Sequence, residues 1–161
     1  MIFKQWQQVL DGTKTQTRRP TKGADYTWTD VAASFAMGSP VIREVCGISD
    51  SGRHYLKWSI GKTYAVQPGR GKKSEGRVRI KTIRRERLGD ISEADCLAEG
   101  LIPGGELEGV RAYRCPICGI GWFAPAFVVF SCLWQCCGGN WEQDQNNDVW
   151  VLEVVEGLED R

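Results

Sequence analysis

Apolar residues recur at helical spacing in three segments of the chain. Residues 3–10 carry apolar side chains three and four positions apart, which predicts a short amphipathic helix. Ser92, with an acidic residue three positions later, resembles a capping box and predicts a second short helix that ends at Gly100. Residues 126–137 are strongly apolar, and they predict a third helix that a pair of glycines terminates.

Other segments show the alternation or the short apolar runs that are typical of β-strands. Residues 149–155 are rich in β-branched side chains and predict a terminal strand that is buried on both faces. From Gly76 onward apolar and basic residues alternate, but Ile83 falls out of phase, so we expect a bulge or the strand end near Thr82. Shorter extended segments, two of them joined by a turn at residues 50–52, are predicted at about residues 13–19, 41–46, 54–58 and 62–67.

Length and composition narrow the class of protein. The 161 residues and the hydrophobic content of 42% predict one globular α+β domain over residues 1–161. Within this domain, the segment of about residues 102–123 is interpreted as a cysteine-containing insertion. The N-terminus lacks the pattern of a signal peptide, and the apolar run 124–134 is too short to cross a bilayer. We therefore expect a cytoplasmic protein with no membrane association, and nothing in the sequence requires an obligate protein partner.

The charge is segregated although the formal net charge is only +1. Between residues 70 and 87 nine side chains are Lys or Arg and two are Glu, whereas residues 88–110 carry six carboxylates and no basic side chain. A local basic band of this kind fits a surface that faces phosphate. A solvated strand face explains the same pattern equally well.

The cysteine pattern raises the question of a metal. Cys115-Pro-Ile-Cys118 followed by glycine has the form of a zinc knuckle, and its partners would come from Cys132, Cys136 and Cys137. The candidate ligands of a structural zinc ion are Cys115, Cys118, Cys136 and Cys137, and no cofactor is required for catalysis. The alternative is that the last three cysteines are small apolar residues of a core helix.

Three motifs together resemble the ASCH family. The segment Gly12-x-Lys14-Thr15-x-Thr17-x-Arg19 resembles the family signature Gly-x-Lys-x-x-Thr-x-Arg. Residues 88–100, which close in Glu-Gly, are similar to the short helix of the family, and residues 133–153 are similar to the last segment of its phage and prophage members. The three motifs cover most of the chain outside about residues 21–57 and 102–123.

The resemblance implies both a fold and an activity. It implies a PUA-like mixed β-barrel with short flanking helices and a cleft beside the Lys-x-x-Thr segment. Small bacterial members are amidohydrolases that remove the acyl group from N4-acetylcytidine and related N4-acylcytosines, and the matching motifs assign the catalytic roles to Lys14, Thr17 and Glu99. Other members bind or cleave RNA, so a non-catalytic RNA-binding module and a ribonuclease remain as alternatives, with a modified nucleoside or RNA as the partner in each case.

Elementary chemistry is compatible with these roles. A Thr hydroxyl attacks a carbonyl only when a base removes its proton, and an amine does so when burial or nearby cations favour its neutral form. The end of a helix favours the protonated carboxyl of Glu99, which can then donate to the leaving amine. Residues three apart on a regular strand face opposite ways, so Lys14 and Thr17 cooperate only if the chain is irregular between them. If they do not cooperate, both are ordinary surface residues.

Four further residues are candidates for substrate binding. Arg19 follows Thr17 at the spacing of the signature and can stabilise a developing oxyanion. Gln67 and Arg70 belong to a flexible, cationic loop that can contact phosphate or a base edge. Tyr64 is a candidate for base stacking. A solvated loop and a structural aromatic residue are the alternatives for these last three.

Overall fold

The computed structural model describes residues 1–156, apart from the side chain of Glu156. The helices within this range are α1 (Trp6–Leu10), α2 (Val31–Met37), α3 (Glu93–Ala98), α4 (Ala126–Cys136) and α5 (Trp141–Asp144), with a 3-10 turn at Leu88–Asp90. The strands are β1 (Gln16–Pro20), β2 (Tyr26–Thr29), β3 (Ile42–Ile48), β4 (His54–Ser59), β5 (Thr63–Val66), β6 (Gly76–Arg87), β7 (Ile102–Leu107), β8 (Val110–Arg114), β9 (Gly121–Phe123) and β10 (Asp148–Glu156).

The strands form three antiparallel sheets. A four-stranded sheet has the order β1-β10-β6-β5, and two three-stranded sheets have the orders β2-β3-β4 and β7-β8-β9. The predicted α+β class is therefore confirmed. No closed barrel is found among residues 1–156, because no strand of one sheet pairs with a strand of another.

The terminal strand β10 lies at the centre of the molecule and separates two apolar cores. Val149 and Val151 pack on one side with α3, α4 and β8, whereas Trp150, Leu152 and Val154 pack on the other with α1, β3, β5 and β6. This division follows from the two-residue period of a strand. The predicted burial on both faces is confirmed for Val149–Leu152 and Val154, whereas Glu153 is half-buried and Val155 is exposed.

The phase change in β6 is a β-bulge. Thr82 pairs with Glu153 on β10, but the next pair joins Ile80 to Val154, so Lys81 is the extra residue. The bulge turns both Ile80 and Ile83 toward the core, where they are buried. The irregularity expected near Thr82 is confirmed, and the strand continues through it.

The segment of residues 102–123, interpreted as an insertion, folds as the sheet β7-β8-β9. This sheet packs against the core through Tyr113 and Cys115. No helix among the described residues is both long enough and apolar enough to cross a membrane.

Asp25, just before β2, connects the β2-β3-β4 sheet to the four-stranded sheet through its side-chain contacts. Its carboxylate accepts hydrogen bonds from Trp150 Nε1 at 2.9 Å and from the backbone N–H of Lys22 at 3.0 Å, and it contacts Lys57. Burial disfavours the charged carboxylate, but these donors outweigh that effect, so the pKa of Asp25 lies below its ordinary value of 3.8.

Protonation of Asp25 should therefore lower the free energy of unfolding at acidic pH. A carboxylate whose pKa is lowered by folding stabilises the protein above the unfolded pKa of 3.8, and the contribution is lost as the pH falls through the folded value. We expect the free energy of unfolding, measured in urea from about pH 5 to about pH 2, to fall less steeply for Asp25→Asn than for the wild type. Asp50→Asn, at an exposed turn, is the control, and an Asp25→Asn slope equal to the wild-type slope would contradict the assignment.

Candidate active site

The backbone between α1 and β1 is irregular, as cooperation between Lys14 and Thr17 requires. Gly12, with φ of 79°, ends the turn after α1, and the backbone N–H of Lys14 then donates to the carbonyl of Gln8 at 2.8 Å. Regular strand structure begins only at Gln16. Lys14 therefore lies outside the strand and Thr17 within it, and both line the same cavity.

Lys14 and Glu99 form a buried ion pair at this cavity. Lys14 Nζ lies 2.5 Å from Glu99 Oε2 and 2.7 Å from the Glu99 carbonyl oxygen. Each residue is only 4% exposed. Arg18 Nη1 donates to the other carboxylate oxygen, Oε1, at 3.0 Å. Two cationic donors on one carboxylate are the arrangement of an ionised Glu99, whereas the helix-end argument favours the protonated form.

The end of α3 holds Glu99 in place. Ser92 caps the helix, because its side chain accepts from the backbone N–H of Asp95 at 3.1 Å, as predicted. Glu99 is the residue that closes the helix, and Gly100 follows with φ of 97°. Gln5 Nε2 donates to the Glu99 carbonyl oxygen at 3.1 Å. The loop beside α1 and the last turn of α3 thus fix the carboxylate from two sides.

The cavity is small and mixed in polarity. Its volume is about 160 Å³. Cationic and hydroxyl groups come from the turn before β1 and from β1 itself, the carboxylate comes from α3, and the apolar wall comes mainly from α4. The lining residues are Ile2, Phe3, Lys4, Gln5, Lys14, Thr17, Arg18, Arg19, Glu99, Phe130, Leu133, Trp134 and Cys137.

Arg19 brings an unused donor to this cavity. Its Nη2 donates to the carbonyl of Ile2 at 2.7 Å, and its guanidinium lies 5.3 Å from the centre of the Phe3 ring. Its Nε is buried and has no hydrogen-bond partner among residues 1–156. Burial lowers the pKa of the guanidinium, and the Glu99 carboxylate opposes that shift. A buried N–H without a partner is rare in native proteins.

Arg18 is a residue whose role the sequence analysis missed. Its side chain is 1% exposed and forms ion pairs with Glu86, with Asp95 at 3.6 Å and with Glu99. Its guanidinium also lies 5.8 Å from the centre of the Phe130 ring. One local signal pointed to this network: Asp95 and Glu99 are four residues apart on α3 and therefore share a face.

Three of the expected substrate-binding residues lie outside the cavity. Gln67 pairs through its backbone with the N-terminal segment, accepting from Phe3 N at 2.9 Å, and its side chain turns to the Lys72 carbonyl. Arg70 is exposed on the following turn. The Tyr64 hydroxyl accepts from the backbone N–H of Ser59 at 2.8 Å, and its ring packs on the core.

Four cysteines form a second cluster, and one of them differs from the expected set. The sulfur atoms of Cys115, Cys118, Cys132 and Cys136 all lie within 4.8 Å of one another. Cys132 thus takes the position expected for Cys137. The reason is helical geometry: Cys132 and Cys136 are one turn apart on α4, whereas one further residue rotates Cys137 by about 100°, toward the cavity.

The first two cysteines lie on a tight turn between β8 and β9. The backbone N–H of Gly119 donates to the Cys115 carbonyl at 2.9 Å, and Gly119 has φ of 75°. The backbone N–H of Ile120 donates to the Cys118 sulfur and lowers the pKa of that thiol to about 7. These four thiols are a donor set that can hold a metal ion.

Comparison of this chain with protein families, with curated proteins and with solved structures finds no match. The interpretation of the site therefore rests on its geometry and on the motifs in the sequence.

Proposed function

We propose that this protein is an amidohydrolase that removes the acyl group from N4-acetylcytidine or a related N4-acylcytosine nucleoside. The observation that carries the proposal is the buried pair between Lys14 Nζ and Glu99 Oε2, at 2.5 Å, on the wall of the cavity that Thr17 also lines. These are the three residues to which the resemblance to the ASCH family assigns catalysis.

The size of the cavity supports a single pyrimidine ring as the buried part of the ligand. A cavity of about 150 Å³ holds one benzene ring, and the cavity here measures about 160 Å³. Phe130 and Trp134 supply apolar surface for a planar base. The sugar of a nucleoside would remain outside, toward solvent.

The ion pair supplies both an acid and a base after one proton transfer. When a proton moves from Lys14 Nζ to Glu99 Oε2, the pair becomes a neutral amine and a carboxylic acid. Exclusion of water by the bound substrate favours this neutral form. The amine then removes the proton from the Thr17 hydroxyl, and the carboxylic acid protonates the cytosine N4 as it leaves.

The remaining steps balance with one water molecule. Thr17 Oγ1 forms a bond to the acyl carbon, the carbon–N4 bond breaks, and cytidine leaves with the proton from Glu99. Water then attacks the acyl carbon and gives one proton to the Glu99 carboxylate, the bond between the acyl carbon and Thr17 Oγ1 breaks, and Lys14 returns its proton to Oγ1. The products are a free carboxylic acid, the Thr17 hydroxyl and the neutral Lys14–Glu99 pair. The unpartnered Nε of Arg19 is the donor proposed for the oxyanion in both steps.

The hydroxyl of Thr17 provides the experimental test. We expect Thr17→Val, which keeps the shape but removes the hydroxyl, to lower cytidine release from N4-acetylcytidine by about 10²–10⁴-fold. Thr15→Val is the matched control, because Thr15 is exposed and outside the cavity, and it should keep the wild-type rate. Equal rates for the two variants would refute the nucleophile.

The finer expectations belong to the same proposal. We propose a PUA-like arrangement in which the β2-β3-β4 sheet covers the four-stranded sheet over Val45, Val78 and Ile80. We propose zinc as the ion for the four clustered cysteines, because four thiolates are a common ligand set of structural zinc sites. A cytoplasmic location fits a nucleoside substrate and seven cysteines without disulfide bonds.

The second candidate is a non-catalytic RNA-binding module. It is favoured by Arg77, Arg79 and Lys81, which are exposed on the outward face of β6. Farther along the strand Arg84 and Arg85 are engaged in ion pairs instead. RNA affinity that falls steeply with salt, together with absence of cytidine release, would favour this candidate, and shortening of the RNA would favour a ribonuclease.

A further inference from the structure

Helix α4 carries two sets of functional side chains on different faces. Phe130, Leu133, Trp134 and Cys137 are spaced as i, i+3, i+4 and i+7, and all four line the cavity. Cys132 and Cys136 are spaced as i and i+4 and belong to the thiol cluster. The centres of the two faces are separated by about 130° around the helix axis. The same rigid element therefore contacts the cavity and the thiol cluster.

The thiol cluster has the dimensions of a tetrahedral metal site. Zinc–sulfur bonds of about 2.3 Å imply sulfur–sulfur separations of about 3.8 Å. The four sulfur atoms lie within 4.8 Å of one another, and Cys118 Sγ lies 3.4 Å from Cys132 Sγ. Two ligands come from the β8–β9 turn and two from α4, so an ion at this point would join the insertion to the helix.

We propose that a zinc ion bound by Cys115, Cys118, Cys132 and Cys136 fixes α4 and thereby sets the shape of the cavity. The metal is a positioning element and takes no part in the chemistry. The catalytic meaning of the cavity rests on the proposed function, but the structural coupling does not. Zinc would act by restraining the helix that forms the apolar wall.

Two contacts connect α4 to the cavity wall and to the residue that holds the Glu99 carboxylate. Lys4 Nζ, from the N-terminal wall of the cavity, donates to the carbonyl oxygen of Cys136, itself a proposed ligand, at 2.6 Å. Phe130 lies under the guanidinium of Arg18, which in turn holds Glu99 Oε1 at 3.0 Å. A shift of α4 would therefore disturb both the cavity wall and the position of the Glu99 carboxylate.

Metal content tests the ligand set. We expect the purified protein to contain one zinc ion per chain, and cobalt-substituted protein to show the absorption of cobalt bound to thiolates. Cys118→Ser should lose most of the metal, because one of the four thiolate ligands is removed. The fold should be kept, because Cys118 is exposed and its replacement leaves the core packing unchanged. Cys137→Ser should retain the metal. Loss of metal from Cys137→Ser but not from Cys132→Ser would overturn the ligand set.

Amide hydrogen exchange tests the coupling independently of any enzymatic activity. On removal of zinc by a chelator, exchange in residues 110–122, in α4 and in residues 14–19 should rise by roughly a factor of ten or more. The β2-β3-β4 sheet, which contains none of the ligands, should keep its protection. Faster exchange confined to residues 110–122 would refute the coupling, and loss of protection throughout the β2-β3-β4 sheet would show global unfolding and refute it as well.

Kinetics of the same samples separate this proposal from the proposed function. If zinc-loaded protein hydrolyses N4-acetylcytidine, Cys118→Ser should lower kcat/KM. Because residue 118 does not line the cavity, this loss would come from the metal site and not from a lost substrate contact. If zinc-loaded protein is inactive but chelation accelerates exchange in α4, the amidohydrolase proposal fails and the coupling stands. If the enzyme is active and its exchange and kcat/KM are insensitive to chelation, the coupling fails and the amidohydrolase proposal stands.

Discussion

Replacing Lys14 with Met should lower kcat for hydrolysis of N4-acetylcytidine by about 10²–10⁴-fold, the usual contribution of a positioned acid or base. Methionine keeps an unbranched apolar stem but removes the amine that is 2.5 Å from Glu99 Oε2. Arg18 Nη1 remains beside Glu99 Oε1 and continues to neutralise the carboxylate. Rates of cytidine release at saturating substrate provide the measurement.

Lys14→Arg distinguishes a lost base from a lost charge. The guanidinium retains a positive partner for Glu99 but does not give up its proton in a protein. We therefore expect Lys14→Arg to be more stable toward urea than Lys14→Met and nearly as inactive. Wild-type kcat in Lys14→Arg would show that an amine at position 14 is not the base.

The largest effect on stability is expected from Arg18. Arg18→Met should lower the free energy of unfolding by about 3 kcal/mol, at the low end of the range for removing one partner of a buried ion pair. The value is at the low end because Lys14 still contacts Glu99 and Arg84 still contacts Glu86, at 3.0 Å. Urea denaturation followed by tryptophan fluorescence measures the change.

An exposed ion pair provides the matched control for Arg18. Arg85 and Asp148 are 2.7 Å apart, and their side chains are 55% and 45% exposed. Arg85→Met should change the free energy of unfolding by less than about 1 kcal/mol, because solvent screens exposed pairs. Equal losses for Arg18→Met and Arg85→Met would contradict the role of burial.

Local sequence patterns were sufficient to predict the elements whose buried residues form a regular apolar pattern. The two-sided burial of β10 follows from the apolar run at residues 149–152, and the bulge in β6 follows from the phase change at Ile83. Helix α2 was not predicted, because it buries no residue and Phe35 is 92% exposed, so its sequence lacks a one-sided apolar pattern. The strands of the β7-β8-β9 sheet were missed because mostly exposed residues form them.

The site divides in the same way between local and distant information. The motif and the capped helix brought Lys14, Thr17 and Glu99 to one cavity, as the resemblance implies. Neighbouring residues do not reveal the partners of Arg18, because Glu86 and Glu99 are 68 and 81 residues away along the chain. Tyr64 and the loop after β5 were expected to contact the substrate, but they do not line the cavity; Gln67 pairs instead with Ile2, which does.

The most direct test is product formation by the folded wild-type protein. Purified protein with intact secondary structure should be mixed with N4-acetylcytidine, and cytidine and acetate should be quantified over time by chromatography. The proposed mechanism predicts equal amounts of both products at a rate that is catalytic in protein and is lost in Lys14→Met and Thr17→Val. Folded, zinc-loaded wild-type protein that releases no cytidine would contradict the proposed function.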